Sequence, residues 1–161
     1  MAPWAKLYTK KIWENNRFVE CFSEDSATMY KIYGKDVKVV YTGKPLVKYR
    51  LRVNSDVRSF NSKKLIMLDI YDDIVDYVFK RDFPLKVQNA AIAKAVSSNF
   101  HIFCQLPDDN KEVEDRIKKF IKKYRKRVLF DKDALLKRRV ACMLSYVDFE
   151  LVRKIFNFNK K

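Results

Sequence analysis

The stretch Val113-Glu114-Asp115-Arg116-Ile117-Lys118-Lys119-Phe120-Ile121-Lys122-Lys123-Tyr124-Arg125-Lys126-Arg127-Val128 decides the fold of the larger part of this chain. Val113, Ile117, Phe120, Ile121, Tyr124 and Val128 step by three and four, so they share one side of an α-helix, and no strand of period two gathers them. The other side is mostly Lys and Arg. A helix of this kind is stable when its apolar side is covered by other elements. The neighbouring sequence supplies them with the same period. Leu65, Leu68, Tyr71, Val75 and Val78 share a face, and so do Leu136, Val140, Met143, Leu144 and Val147. Phe83–Gln105 is apolar on more than one side, through Val87, Ala90, Ala91, Val96, Phe100 and Phe103, as the central helix of a bundle is, and Pro107 follows it. Phe149–Phe158 reads as a short basic helix.

The period changes near Asn61. Upstream, Thr9 is placed to cap a short helix from Lys10 to Asn15, and Ser23 to cap Glu24–Tyr33, which Gly34 ends. Val37–Tyr41 is rich in β-branched residues, Thr42-Gly43 is a turn signal, and Leu46–Val53 alternates apolar with polar, which predicts a hairpin over Val37–Val53. The expected fold is therefore α+β and predominantly helical. A small α/β portion with a β-hairpin occupies residues 1–60, and a basic bundle of four or five helices occupies 61–161.

The composition sets bounds on function. Of 161 residues, 48% are apolar and 14% aromatic, enough for a folded core rather than a disordered chain. Two glycines leave no material for a Gly-rich phosphate loop, and neither a G-x-G-x-x-G nor a Walker pattern occurs. The net charge of +15 calls for an anionic partner, whether nucleic acid, lipid headgroups or a phosphorylated ligand. Cys21, Cys104 and Cys142 are odd in number and lack CxxC spacing, which favours a reducing compartment over a disulfide framework or a zinc site. No apolar run reaches the ~20 residues of a membrane span, and no apolar signal region opens the chain.

Few residues are candidates for chemistry. Glu24-Asp25 opens a predicted helix, where carboxylates ordinarily complement the helix dipole; the alternative is a general base for an attacking hydroxyl. Lys48, Arg50 and Arg52 in Lys44–Ser55 are either solvated residues of an amphipathic strand or a phosphate contact, for which the guanidinium fork is suited. His101 is the only histidine and is expected in or beside the core. Asp131-Lys132-Asp133 spells D-x-D just before a helix, where Asp133 is better placed as an N-cap. Asp72-Asp73 is expected to be solvated on α-helix surface, and Asp108-Asp109 to lie in a loop. Residues 110–161 hold 17 Lys and Arg against 7 Asp and Glu. A solvated helix face is the first reading of that excess. Attachment to an anionic membrane is the second, with Phe149, Phe156 and Phe158 as anchors, and non-specific nucleic-acid binding the third.

Three blocks, taken in order, carry a resemblance. They are Trp4-Ala5-Lys6-Leu7-Tyr8; Arg17-Phe18 followed by Glu24-Asp25 with Thr28 and Tyr30; and Tyr49-Arg50-Leu51-Arg52-Val53-Asn54-Ser55 with Arg58-Ser59-Phe60. Together they resemble the acceptor-side half of bacterial family 2 glycosyltransferases. Ser26, where many relatives carry a third acidic residue, and Cys21-Phe22, where a small residue is usual, depart from the pattern. The resemblance implies a GT-A catalytic fold, Asp25 as base supported by Glu24, acceptor contacts from Trp4 and Lys6, and diphosphate contacts from Arg50, Arg52 and Ser55. It implies an inverting transfer from a nucleotide-sugar to a cell-surface glycan in polysaccharide biosynthesis. It also implies a donor-side half upstream of Trp4, in cis or as a partner, bearing the D-x-D that holds Mg or Mn. No metal ligand is expected within these residues, and the chain alone is expected to be inactive. The expected location is cytoplasmic, peripheral at the inner membrane face. The competing expectation is a non-enzymatic basic module binding nucleic acid or an anionic membrane.

Overall fold

The computed structural model describes residues 3, 5–35, 37–48, 50 and 61–158, with 156–158 as backbone only. The chain divides into two compact units, 1–59 and 60–161. The described residues form seven α-helices and no strand. In the first unit lie α1 (Lys10–Glu14) and α2 (Glu24–Tyr33). In the second, a 3₁₀ turn over Ser62–Leu65 leads into α3 (Ile66–Lys80), α4 (Leu85–Phe103), α5 (Lys111–Phe130), α6 (Leu136–Val147) and α7 (Phe149–Phe158).

The hairpin expected over Val37–Val53 is not formed, and with it the α+β class falls. Residues 37–48 carry no regular structure, while 51–60 lie outside the described residues. Gly43 sits at φ +68°, a left-handed conformation that glycine adopts without steric penalty. What fails is the packing. Val39, Val40, Tyr41 and Leu46 are 66–91% exposed, so neither face of the expected pair meets a core. Two strands without a third strand or a helix to cover them are marginal in water, whatever their β-propensity.

The second unit is organised around α4 and α5. Ile117, Ile121 and Val128 of α5 are fully buried, as are Ile92, Val96 and Phe103 of α4. α3 presents Leu68, Tyr71, Val75 and Val78 to the same core. From α4 to α7 each helix packs on the one before it, and α4 also meets α6. The α3–α4 junction shows how α3 is stopped. Asp82 adopts φ +48°, its amide donates to the Phe79 carbonyl at 3.0 Å, and the Phe83 amide donates to the Val78 carbonyl at 3.1 Å. This is a Schellman stop in which aspartate takes the place usual for glycine.

α6 differs from its expected orientation. Leu136, Val140, Met143 and Val147 point outward, while Ala141, Cys142 and Ser145 are buried. The small residues let the helix axis approach its neighbours closely, and the bulky stripe is left in solvent. Burial pushes the Cys142 thiol up to about 12, so it is a packing residue rather than a nucleophile. Asp133 is not the cap of α6. That position is Leu135, and the Asp133 amide instead donates to the Asp131 carboxylate at 3.0 Å.

Arginines tie the helices across the bundle. Arg116 of α5 pairs with Asp69 and Asp72 of α3 at 2.6 and 2.7 Å. Arg125 donates to the Ser145 carbonyl at 2.5 Å and lies 3.6 Å over the Tyr146 ring. Arg153 of α7 stacks 4.4 Å over Phe103 and pairs with Asp108, Glu114 and Glu150. The basic side of α5 is thus divided: Lys118, Arg125 and Arg127 are half-buried and bonded, and Lys119, Lys122, Lys123 and Lys126 face solvent.

Two outcomes follow. Ile121→Ala should lower stability by about 2–5 kcal/mol, whereas Val147→Ser should change it by less than about 0.5 kcal/mol, read from denaturant melts. The hydrogen bond from Lys118, with Arg153 adding to it, holds the Glu114 carboxyl below the usual carboxylate range despite burial acting the other way. Its contribution is therefore present above the unfolded carboxylate pKa and lost as pH falls through the folded one. Glu114→Gln should flatten the acid limb of the stability–pH curve below about pH 4.5. An unchanged limb would show that the cluster carries no linkage.

Candidate functional site

The residues that could do chemistry in the first unit gather at the start of α2. Helix α1 ends in a small aromatic cluster. Tyr8 meets Trp13 edge-on at 5.3 Å, and Trp13 lies 5.1 Å from Phe18. Desolvation by its surroundings, with Tyr33 adding to it, raises the Tyr8 phenol above its ordinary value. The Val19 amide donates to the Thr28 hydroxyl at 3.2 Å, and Lys35 donates to Asn16 at 3.3 Å, so the segment between the helices is fastened to the middle of α2 and to the residue just past its end.

That fastening sets the entry of α2. Ser23 lies in the left-handed region, φ 62° and ψ 45°, and caps no amide with its side chain. Such a conformation is strained for a residue with a Cβ and persists where surrounding structure enforces it. Its hydroxyl instead donates to Asp25 Oδ1 at 3.1 Å and lies 2.9 Å from the Ser26 hydroxyl. The Ser26 amide donates to the same Oδ1 at 2.6 Å. Asp25 is half-buried with one carboxylate oxygen engaged by its own turn, and Glu24 beside it is exposed. Chemically, this is a carboxylate oriented by two donors at the positive end of a helix, able to accept a proton on Oδ2 from a hydroxyl that reaches it.

The other expected contacts are less gathered. Lys6 and Arg50 are described and exposed. Trp4, Arg52 and Ser55 lie outside the described residues. Sequence reasoning missed the Ser23–Ser26 cradle, although the Ser-x-x-Ser spacing around Glu24-Asp25 was the available signal.

No group of three or more His, Cys, Asp or Glu among the described residues could hold a metal ion. The D-x-D of Asp131 and Asp133 does not fit that use. Asp131 accepts the Asp133 amide, and Asp133 pairs with Lys86 at 3.3 Å. His101 is exposed rather than in the core, with its Nε2 3.0 Å from the Gln105 amide. Phe149 is buried, packed 6.5 Å from Phe100 and 5.7 Å from Phe103, so it is no membrane anchor. No described helix is long and apolar enough to cross a membrane.

The chain matches no protein-family model, no curated protein and no solved structure.

The geometry at Ser23 yields a direct test. Ser23→Gly and Ser23→Ala both lose the hydroxyl, but only alanine keeps the strained Cβ. The glycine variant should be the more stable by about 1 kcal/mol. Equal stability would mean that Ser23 is not held left-handed in solution.

Proposed function

We propose that the chain is the acceptor-side part of a family 2 glycosyltransferase, in which Asp25 is the general base. The observation that carries the reading is the held carboxylate at the strained entry of α2, in a stretch whose three motif blocks follow the family's order. The local donors also serve α2 alone, so the motif order is what favours catalysis over helix chemistry. In the reaction, Asp25 takes the proton of the acceptor hydroxyl as its oxygen attacks the sugar's anomeric carbon. The bond to the nucleoside diphosphate breaks with its electron pair, and the configuration inverts. Glu24 supports Asp25, and Trp4 and Lys6 contact the acceptor. Arg50, Arg52 and Ser55 receive the diphosphate. The nucleotide-sugar pocket and its divalent metal belong to a donor-side segment in cis or on a partner, so no step here is assigned to the metal. The acceptor is a glycan of the cell surface.

A second feature favours peripheral attachment to the inner face of a membrane. Lys119, Lys122, Lys123 and Lys126 of α5 all face solvent, and each basic residue near an anionic bilayer contributes about 1 kcal/mol.

The test is transfer of sugar to a glycan acceptor by the enzyme assembled with its donor-side segment. Asp25→Asn should lower turnover by about 10²–10⁴-fold with the helical circular dichroism intact, and Glu24→Gln by much less. Near-normal turnover in Asp25→Asn would remove Asp25 from the chemistry.

A further inference from the structure

Helix α6 turns an apolar stripe to solvent, and neither the site at Asp25 nor the lysine face of α5 uses it. Leu136, Val140, Met143 and Val147 are 72, 37, 52 and 80% exposed, at intervals of four, three and four. That is the d-a-d-a spacing of a heptad seam, the pattern by which one helix packs along another. Within the unit, α6 already buries its opposite side through Ala141, Cys142 and Ser145. The seam is therefore a second packing face on a helix that needs one. Leu135 and Tyr146 are exposed beside it. Together these residues offer on the order of 600 Å² per copy, the lower end of specific interfaces.

The charges beside the seam choose its occupant. Asp133 and Asp148 stand exposed at its two ends, which disfavours an anionic surface. Asp133 is paired with Lys86, and Arg139 is bonded to the Leu129 carbonyl. Lys137 and Asp148 remain, both exposed and in no ion pair among the described residues. They lie on one side of the seam, since each follows a seam residue by one position, about 100° round the helix in the same sense. A two-fold axis crossing the seam between Val140 and Met143 sets Val140 against Met143 of a second copy, and Leu136 against its Val147. The same axis keeps like sides together. Lys137 then comes within about 3 Å, along the helix, of the level of the second copy's Asp148, while the two Lys137 are about 13 Å apart. The helix dipoles run opposed. A parallel pair would instead set lysine against lysine and aspartate against aspartate.

We propose that α6 is a homodimer interface, in which two α6 helices pack antiparallel along this seam, with Lys137 of each copy beside Asp148 of the other. The seam is self-complementary in apolar surface and in charge, as a two-fold contact requires. Its small area gives a dimer that is half-formed at about 10–100 µM.

The experiment is sedimentation velocity of the full chain from about 1 to 300 µM, a range that brackets that constant. Physiological salt screens the repulsion between two chains of charge +15. Melting curves at the lowest concentration check that each variant folds. The wild type should pass from monomer to dimer. Val140→Asn/Met143→Asn should weaken association about tenfold or more. Lys137→Glu, which opposes two carboxylates at each end, should weaken it about fivefold. Lys119→Gln/Lys126→Gln on α5 should change it less than about twofold. The register is read with a short bis-maleimide. Leu136→Cys mixed with Val147→Cys should cross-link above the background of the native cysteines, and neither alone should, because like positions are about 16 Å apart along the antiparallel pair. A wild type that stays monomeric throughout would overturn the proposal, and so would a dimer that Val140→Asn/Met143→Asn leaves intact. Cross-linking of either single variant as readily as the mixture would refute the antiparallel pairing. A monomer that binds phosphatidylcholine–phosphatidylglycerol vesicles, and loses them in Val140→Asn/Met143→Asn, would give the seam to a bilayer and overturn the proposal as well.

Discussion

The burial of Ile117, Ile121 and Val128 of α5 against Ile92, Val96 and Phe103 of α4 is the constraint on which the second unit depends. Neither helix is stable with these residues left in water, and this packing covers the apolar side of α5 while leaving Lys119, Lys122 and Lys126 in solvent. Once this contact is made, the cross-bundle arginines become cheap to place. Their aliphatic stems cover ring faces and neighbouring helices, and their heads reach carboxylates or carbonyls at the edge. Arg153 over Phe103 and Arg125 over Tyr146 are the clearest cases. The ion pairs of Arg116 with α3 are exposed and add little to stability.

The first unit works by a different principle. Its helices are short, and its order comes from polar fastening: Val19 to Thr28, Lys35 to Asn16, Ser23 and Ser26 to Asp25. The strained entry at Ser23 is what points the Asp25 carboxylate. A larger core would not need such a device, and a purely structural helix start is ordinarily served by a relaxed serine cap. That difference gives the acidic pair its interest, alongside the order of the motifs around it.

The sequence was legible where period and burial agree. The apolar steps of α5 are strong enough to identify both its existence and its inward face, and Leu68, Tyr71, Val75 and Val78 did the same for α3. The ends of α2, α6 and α7 could be read from Ser23, Gly34, Val147 and Phe149. Three things could not be read. The hairpin reading rests on a β-branched run, a turn signal and alternation, but these stabilise a strand only when a partner covers it, and Val39, Val40 and Leu46 are left exposed. The face of α6 was hidden because a helix with one bulky and one small side can bury either. Close approach through Ala141, Cys142 and Ser145 prevailed over the larger stripe. At the candidate site, Glu24-Asp25 is visible as a motif, whereas Ser23 departs from the relaxed serine cap that its residue type predicts and takes a left-handed conformation.

Native-state hydrogen exchange, residue by residue, tests this account most directly. The amides of Ile92, Val96, Ile117 and Ile121 should exchange slowest and together, at the rate of global unfolding of their unit. Residues 37–48 should exchange almost as fast as an unfolded chain. Alternating protection across Val37–Tyr41 and Leu46–Val47, matching that of α5, would reveal a paired sheet and contradict an all-helical fold built on the α4–α5 contact.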